Sequence, residues 1–187
     1  AGHALLSLLM PDVNPLKKVS IIPRGLAGGY TFTPPLEDRH YWTKKELSSE
    51  IALMLGGRAS EEISMDEVTT GAQNDLEVAT GMARRMVTQF GMSNKLGNIT
   101  LGRREGLVFL GRDIMEEKNY SEETARVIDS EVKGIVDNAY DRAKAILKEN
   151  QDKLKILTQA LLEKEVLNAE EVKMLLGMEK KDESSQS

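Results

Sequence analysis

The sequence predicts a mainly α fold that carries a short β hairpin or edge strand and a C-terminal helical hairpin. Three observations support this prediction. Apolar residues recur at helical spacing along most of the chain, whereas β-branched residues cluster only between positions 18 and 33. Aromatic residues are 4% of the total, so we expect an aliphatic core. A chain of 187 residues is long enough for one good-sized domain.

Composition excludes several classes of function. Lys and Arg total 25 while Asp and Glu total 30, and a formal charge of −5 argues against nucleic acid as the main partner, because phosphate binding needs a basic surface. The absence of cysteine excludes disulfides, thiolate metal sites and cysteine nucleophiles. No apolar run approaches the roughly 18 residues of a membrane span. Only His3 and His40 could supply imidazole to a metal site.

The first 33 residues predict one helix and one hairpin. Residues 1–10 have helical spacing and end at Pro11, with His3 on the same face as Leu6. A lone histidine on such a face is usually a structural residue. Residues 18–33 contain the β-like stretch, in which Gly28 and Gly29 indicate either a turn or a close approach of another backbone.

The next segments predict two short helices. Thr43 and Glu46 have capping-box spacing at the start of a helix that runs to Leu55. Helical character resumes at residues 58–63. Glu61 and Glu62 are adjacent there, so they cannot share one helix face, and at most one of them points inward.

The segment 68–76, VTTGAQNDL, precedes a helix predicted to run to Phe90 with an apolar stripe. Counting back four residues from Ala79 places Asp75 on or beside the buried face. A carboxylate in that position is a helix cap, half of an ion pair or a metal ligand. Spacing alone favours capping, because Thr, Asn and Asp are common at helix starts.

The remainder of the chain predicts an irregular segment and then helices. Four glycines interrupt residues 94–118, which we expect to form a loop that is partly mobile. A long helix is expected from Ser121 to Glu149, followed by a second helix and by a third that begins at Asn168. We therefore expect a core at 1–118, a C-terminal helical part at 119–177 and a disordered tail at 178–187.

Several motifs in order resemble the proteolytic domain of the FtsH family, membrane-anchored ATP-dependent zinc metalloproteases. They are AGH at 1–3, KVSIIPRG at 18–25, GYT at 29–31, LGGRASEEI at 55–63, VTTGAQNDL at 68–76, FGMS at 90–93, FLG at 109–111, NYSEE at 119–123 and LLEKE at 161–165. Each motif alone is weakly specific, but nine in register over most of the chain are very specific.

The resemblance implies a Zn²⁺ site. In that family, zinc binds a helix carrying His-Glu-Ala-Gly-His, whose two histidines lie on one face. His3 corresponds to the second histidine, so the first histidine and the general-base glutamate would immediately precede Ala1. The family's third ligand is an aspartate that corresponds to Asp75, which changes our preferred interpretation of Asp75 from cap to metal ligand. Glu62 is the competitor for that role, or an outer carboxylate that orients a ligand histidine.

The resemblance also implies how substrate binds. The family strand that corresponds to residues 26–33 borders the cleft, so Gly28, Gly29, Tyr30 and Thr31 are expected to bind an extended substrate through main-chain hydrogen bonds. Such binding discriminates little between sequences, which suits degradation of unfolded and membrane proteins.

Other properties of the family belong to regions that this sequence lacks. The chain contains no GxxxxGK[ST] loop, so ATP and Mg²⁺ binding is expected only in an absent ATPase module. The family forms homohexamers and reaches the membrane through an N-terminal segment, which implies the cytoplasmic side of a bacterial inner membrane for the parent protein, with this fragment soluble. Two alternatives remain: a non-catalytic module that forms hexamers or binds substrate, and a helical interaction protein in which His3 and Asp75 are structural.

Overall fold

The computed structural model describes residues 1–23, 28–34, 41–102 and 119–178, and within these the fold is mainly α with one small sheet. The helices are α1 (Gly2–Leu9), α2 (Lys44–Met54), α3 (Gly56–Met65), α4 (Gln73–Thr88), α5 (Glu122–Glu149), α6 (Gln151–Lys164) and α7 (Ala169–Leu175). The strands are β1 (Lys18–Ser20), β2 (Tyr30–Phe32) and β3 (Val166–Asn168), and a 3₁₀ turn at Thr70–Ala72 precedes α4. The predicted fold class is confirmed.

Local sequence signals start α2, α5 and α7 where they were predicted, whereas α3 begins at Gly56, two residues before the predicted segment. Thr43 and Glu46 form the expected capping box at α2, and Asn168 and Glu171 form another at α7. Ser121 caps α5 by accepting a hydrogen bond from a backbone N–H in its first turn. Such caps each contribute about 1 kcal/mol to helix stability, which is enough to fix where a helix begins.

The core is a single aliphatic cluster around α5. This helix packs against α2, α3 and α4, and its buried residues follow the predicted stripe. They are Ile128, Val132, Ala139, Ala143 and Leu147. α1 packs against α3 and α5, so the N-terminal helix is part of the core of the domain.

The sheet differs from the predicted hairpin by one strand. β1 pairs antiparallel with β2, as expected, and it also pairs antiparallel with β3, giving the order β2-β1-β3. The sequence analysis missed β3 because it is three residues long and lies between two helices. β2 is therefore an edge strand, with β1 as its partner among the described residues.

One residue of the predicted stripe of α4 and one apolar residue of α6 are exposed. Phe90 is 49% exposed because α4 ends at Thr88 and the chain turns before Gly91, which has a φ of +61°. Leu162 is 65% exposed, whereas its neighbour Leu161 is buried. The remaining residues of the α4 stripe lie in the core or pack against it.

Some predictions lie outside the described residues: the loop at 103–118, His40, the start of the predicted substrate strand at 26–27, and the tail at 179–187. In the part of the chain that the structure describes, no helix has the length and apolarity of a membrane span.

Candidate functional site

His3 lies in the first turn of α1, where close packing on α3 fixes it. A Cβ built on Gly57 would lie 2.7 Å from Cε1 of the His3 ring, so only glycine leaves room for the imidazole there. Likewise, a Cβ on Gly2 would lie 2.4 Å from the carbonyl oxygen of Gly56. The two helices therefore touch through glycine, and the histidine ring rests on the α3 backbone.

Asp75 is the third residue of α4 and does not cap that helix. The cap position is Ala72, which offers no side-chain hydrogen bond, while Thr69 caps the preceding 3₁₀ turn. The Asp75 carboxylate is half-buried and its Oδ2 lies 3.3 Å from Nε2 of His3. An acidic side chain in the first turn is favoured by the positive end of the helix dipole, which supports a negative charge at this point.

The His3 ring has a second contact through the same nitrogen. Nε2 donates to the backbone carbonyl oxygen of Met54, at the end of α2, at 3.0 Å. A ring nitrogen that binds a metal cannot also carry a proton. Metal binding through Nε2 would therefore replace the hydrogen bond to Met54 and leave the ring proton on Nδ1.

A cleft of about 510 Å³ joins this pair to the sheet. His3 and Asp75 line this cleft together with Glu50, Leu53 and Met54 of α2. It is also lined by residues in or next to β1 and β2: Val19, Ser20, Ile21, Gly28, Gly29, Tyr30, Thr31 and Thr33. Gly29 lies directly on β1, because a Cβ there would be 2.6 Å from the carbonyl oxygen of Ser20. The structure thus brings together every predicted site residue except Glu62.

Glu62 instead lies between α3 and α5. Its carboxylate accepts hydrogen bonds from the Tyr140 hydroxyl and, at 2.6 Å, from the Lys144 ammonium group. Among the described residues it forms no hydrogen bond with His3 or Asp75, so its predicted role in orienting a ligand histidine has no contact to support it. The bond from Lys144, followed by that from Tyr140, lowers the pKa of the Glu62 carboxyl.

We expect an alkaline-sensitive contact at Tyr140. Burial, together with the hydrogen bond to Glu62, raises the pKa of the Tyr140 hydroxyl from 10.0 to about 12. Since the unfolded chain then loses its tyrosine proton first, the native state loses stability as pH rises from about 10 to 12. Over that window, the free energy of unfolding should fall more steeply in the natural chain than in Tyr140→Phe.

Chemical denaturation at several pH values measures this difference. Between pH 7 and 9 the hydroxyl is protonated in both states, and the two chains should show parallel profiles there. Parallel profiles from pH 10 to 12 would contradict the role assigned to Tyr140.

The pair of His3 and Asp75 fits a zinc ion as two of its ligands. Two ligands that are each about 2.0–2.1 Å from a tetrahedral zinc are about 3.3–3.4 Å apart. The distance between Nε2 of His3 and Oδ2 of Asp75 is 3.3 Å. The described residues contain no group of three or more His, Asp or Glu side chains that could hold a metal, so within them the pair supplies two donors.

The sequence analysis missed three contributors to this region. The Met54 carbonyl is a backbone group and has no signature in the sequence. Thr69 and Glu61 hydrogen-bond to each other across eight residues, through a turn whose path the sequence does not reveal. The adjacency of Glu61 and Glu62 did indicate that the two carboxylates face different ways.

Comparison with known proteins places these features in a family context. A model of peptidase family M41 matches residues 1–175. The ATP-dependent zinc metalloprotease FtsH 1 of Thermoanaerobacter sp. (strain X514) is 50% identical over 179 residues, which cover 96% of this chain and 29% of that protein. FtsH of Bacillus subtilis (strain 168) is 50% identical over 176 residues, covering 94% and 28%. FtsH 3 of a Synechocystis strain is 51% identical over 182 residues, covering 95% and 30%. The chain thus spans about three tenths of the length of these relatives.

Proposed function

This chain belongs to peptidase family M41, and from that membership we propose that it is the zinc endopeptidase part of an ATP-dependent protease. The observation that carries the proposal is that His3 and Asp75, 3.3 Å apart, line a cleft that the edge strand β2 also lines. An imidazole and a carboxylate from two helices supply two of the three protein ligands of a catalytic zinc site, and the strand next to them can pair with a peptide.

Each part of the site has a role in this proposal. When bound, zinc polarises the scissile carbonyl and makes water nucleophilic near neutral pH. Nε2 of His3 and the Asp75 carboxylate hold the ion, and the α3 backbone at Gly57 keeps the imidazole in place. The edge strand β2 binds the substrate main chain in extended form, in the cleft that His3 and Asp75 also line.

The proposed substrates are unfolded and membrane proteins. Pairing with β2 recognises the backbone, so an extended segment of almost any sequence could bind. A stable folded protein exposes such segments only by local unfolding, which costs several kcal/mol. We therefore propose that the whole protein also contains an ATPase module, which binds ATP and Mg²⁺ and delivers unfolded chains to this cleft.

The assembly and location of the whole protein are also part of the proposal. We propose that the whole protein is a homohexamer on the cytoplasmic side of a bacterial inner membrane. A segment N-terminal to Ala1 would attach it to the membrane. In this proposal the N-terminal segment provides the membrane attachment, and the cleft does not contact the membrane.

The experiment that tests the zinc site compares three forms of the chain. In the family motif, a histidine and a glutamate stand immediately before the Ala-Gly-His that Ala1–His3 matches. The chain preceded by His-Glu should bind one zinc ion tightly, because it offers three ligands, and the 187-residue chain should bind zinc much more weakly, because it offers two. A chain preceded by Ala-Ala controls for added length and should behave like the 187-residue chain.

Equilibrium dialysis and cleavage of an unstructured peptide are the measurements. Tight one-to-one zinc binding by the 187-residue chain would mean that another residue, such as His40, completes the site. Absence of zinc binding and of cleavage in the chain preceded by His-Glu would contradict the proposed function.

A further inference from the structure

One residue, Thr69, fastens the loop between α3 and α4 to α3. The Glu61 carboxylate accepts hydrogen bonds from the Thr69 backbone N–H at 3.1 Å and from the Thr69 hydroxyl at 2.8 Å. Arg58, one turn earlier on α3, donates to the Thr69 carbonyl oxygen at 3.0 Å. Two side chains of α3 thus bind both backbone groups and the hydroxyl of Thr69, and bonds to such charged groups are the stronger kind.

Hydrogen-bonded turns connect Thr69 to Asp75 without a break. The Thr69 hydroxyl oxygen accepts from the Gly71 N–H at 3.1 Å, which caps the 3₁₀ turn. The Gln73 N–H then donates to the Thr70 carbonyl oxygen, where the turn joins α4. Asp75 follows in the first turn of that helix. α4 itself packs on α5 and α2, and the bonds of Thr69 fasten to α3 the turn that leads into the first turn of α4, where Asp75 lies.

The same helix also supports the other member of the pair. Gly57 of α3 is the surface on which the His3 ring rests, and Ser60 of α3 packs within contact distance of Gly2. His3 therefore rests on α3, and the turn that leads to Asp75 is hydrogen-bonded to α3 through Thr69. A shift of that turn relative to α3 would change the separation between the two side chains.

We propose that Glu61 is the positioning residue for Asp75 and acts through Thr69. The inference rests on the proposed function, because the separation of His3 and Asp75 matters where both hold zinc. Metal ligands must lie within about 0.2 Å of their ideal distances, so a loosened loop costs affinity. Partners that orient metal ligands typically contribute 10–100-fold in affinity.

The neighbouring carboxylate provides a matched control. Glu62 has the same chemistry and lies one residue further along α3, but it binds Tyr140 and Lys144 of α5 rather than Thr69. Glu62→Gln removes one negative charge at nearly the same place as Glu61→Gln. A general effect of charge or of helix stability would therefore appear in both variants.

Zinc affinity of the chain preceded by His-Glu, measured by competition with a chromogenic chelator, tests the proposal. Glu61→Gln leaves one acceptor for two donors and should weaken zinc binding by about 10–100-fold. Thr69→Val removes the hydroxyl and should also weaken it, whereas Thr69→Ser keeps the hydroxyl and should bind zinc nearly as the natural chain does. Glu62→Gln should lower the melting temperature and leave zinc affinity within about threefold of the natural chain.

Three results would overturn the inference. They are unchanged zinc affinity in Glu61→Gln, equal losses in Glu61→Gln and Glu62→Gln, and a Thr69→Ser that binds as weakly as Thr69→Val. Failure of the natural sequence preceded by His-Glu to bind zinc contradicts the proposed function instead, so the two failures are distinguishable.

Discussion

Replacing Asp75 with Asn should remove both zinc retention and peptide cleavage from the chain preceded by His-Glu. The amide is a much poorer zinc ligand than the carboxylate, and it carries no charge to offset the cation. Because Asp75 would contact the ion directly, the loss of affinity should exceed the roughly 10–100-fold that outer partners contribute. Zinc content after gel filtration and the rate of peptide cleavage are the measurements.

The control for this change lies two residues away. Glu77 is an exposed carboxylate on α4, so Glu77→Gln removes the same charge from the same helix without touching the cleft. This control should keep zinc and activity near the natural level. Zinc retention by Asp75→Asn would mean that His3 and Asp75 form an ion pair and that Asp75 is not a metal ligand. Loss of zinc in Glu62→Gln alone would mean that Glu62, and not Asp75, is the ligand.

Proline in the edge strand should stop cleavage while zinc stays bound. Successive N–H groups along a strand point to opposite sides, so Tyr30→Pro and Thr31→Pro remove, between them, one donor on the β1 side of β2 and one donor on the opposite side. Each change should reduce cleavage of an unstructured peptide by at least about tenfold, given that lost strand bonds each contribute about 1 kcal/mol and the strand itself is distorted. Neither change touches a metal donor.

Thr31→Val is the matched control, because valine keeps the backbone N–H and favours a strand. It should cleave the peptide at close to the natural rate, with zinc content equal in all four proteins. Unchanged cleavage by both proline variants would contradict a role of β2 in substrate binding. Loss of zinc in either variant would show that the strand supports the metal site as well.

Helices were predictable here because their signals are local. The capping boxes at Thr43 and Asn168 and the stripe of α5 depend on residues three or four apart, and the structure has each where it was predicted. The end of α4 was less predictable. Phe90 continues the apolar spacing, but the turn before Gly91 removes it from the core.

Contacts between distant segments were not predictable from spacing. The sequence placed Asp75 near a buried face, but its distance from His3 depends on how α1 and α4 pack on the other helices, with α5 as a shared neighbour. Likewise, the partners of Glu62 are 78 and 82 residues away on α5. The family resemblance predicted that His3 and Asp75 lie together as metal ligands, whereas the spacing of residues within the sequence did not.

The antiparallel pairing of β1 with β3 has a consequence for the order in which the domain can be completed. The central strand of the cleft wall bonds to residues made almost 150 positions later. At a synthesis rate of about 5–20 residues per second, roughly 7–30 s separate the two strands at the ribosome. Until Val166–Asn168 emerges, β1 and β2 form only a two-stranded ribbon, which is marginally stable alone. A nascent chain therefore cannot present the complete sheet beside the cleft until Val166–Asn168 has left the ribosome.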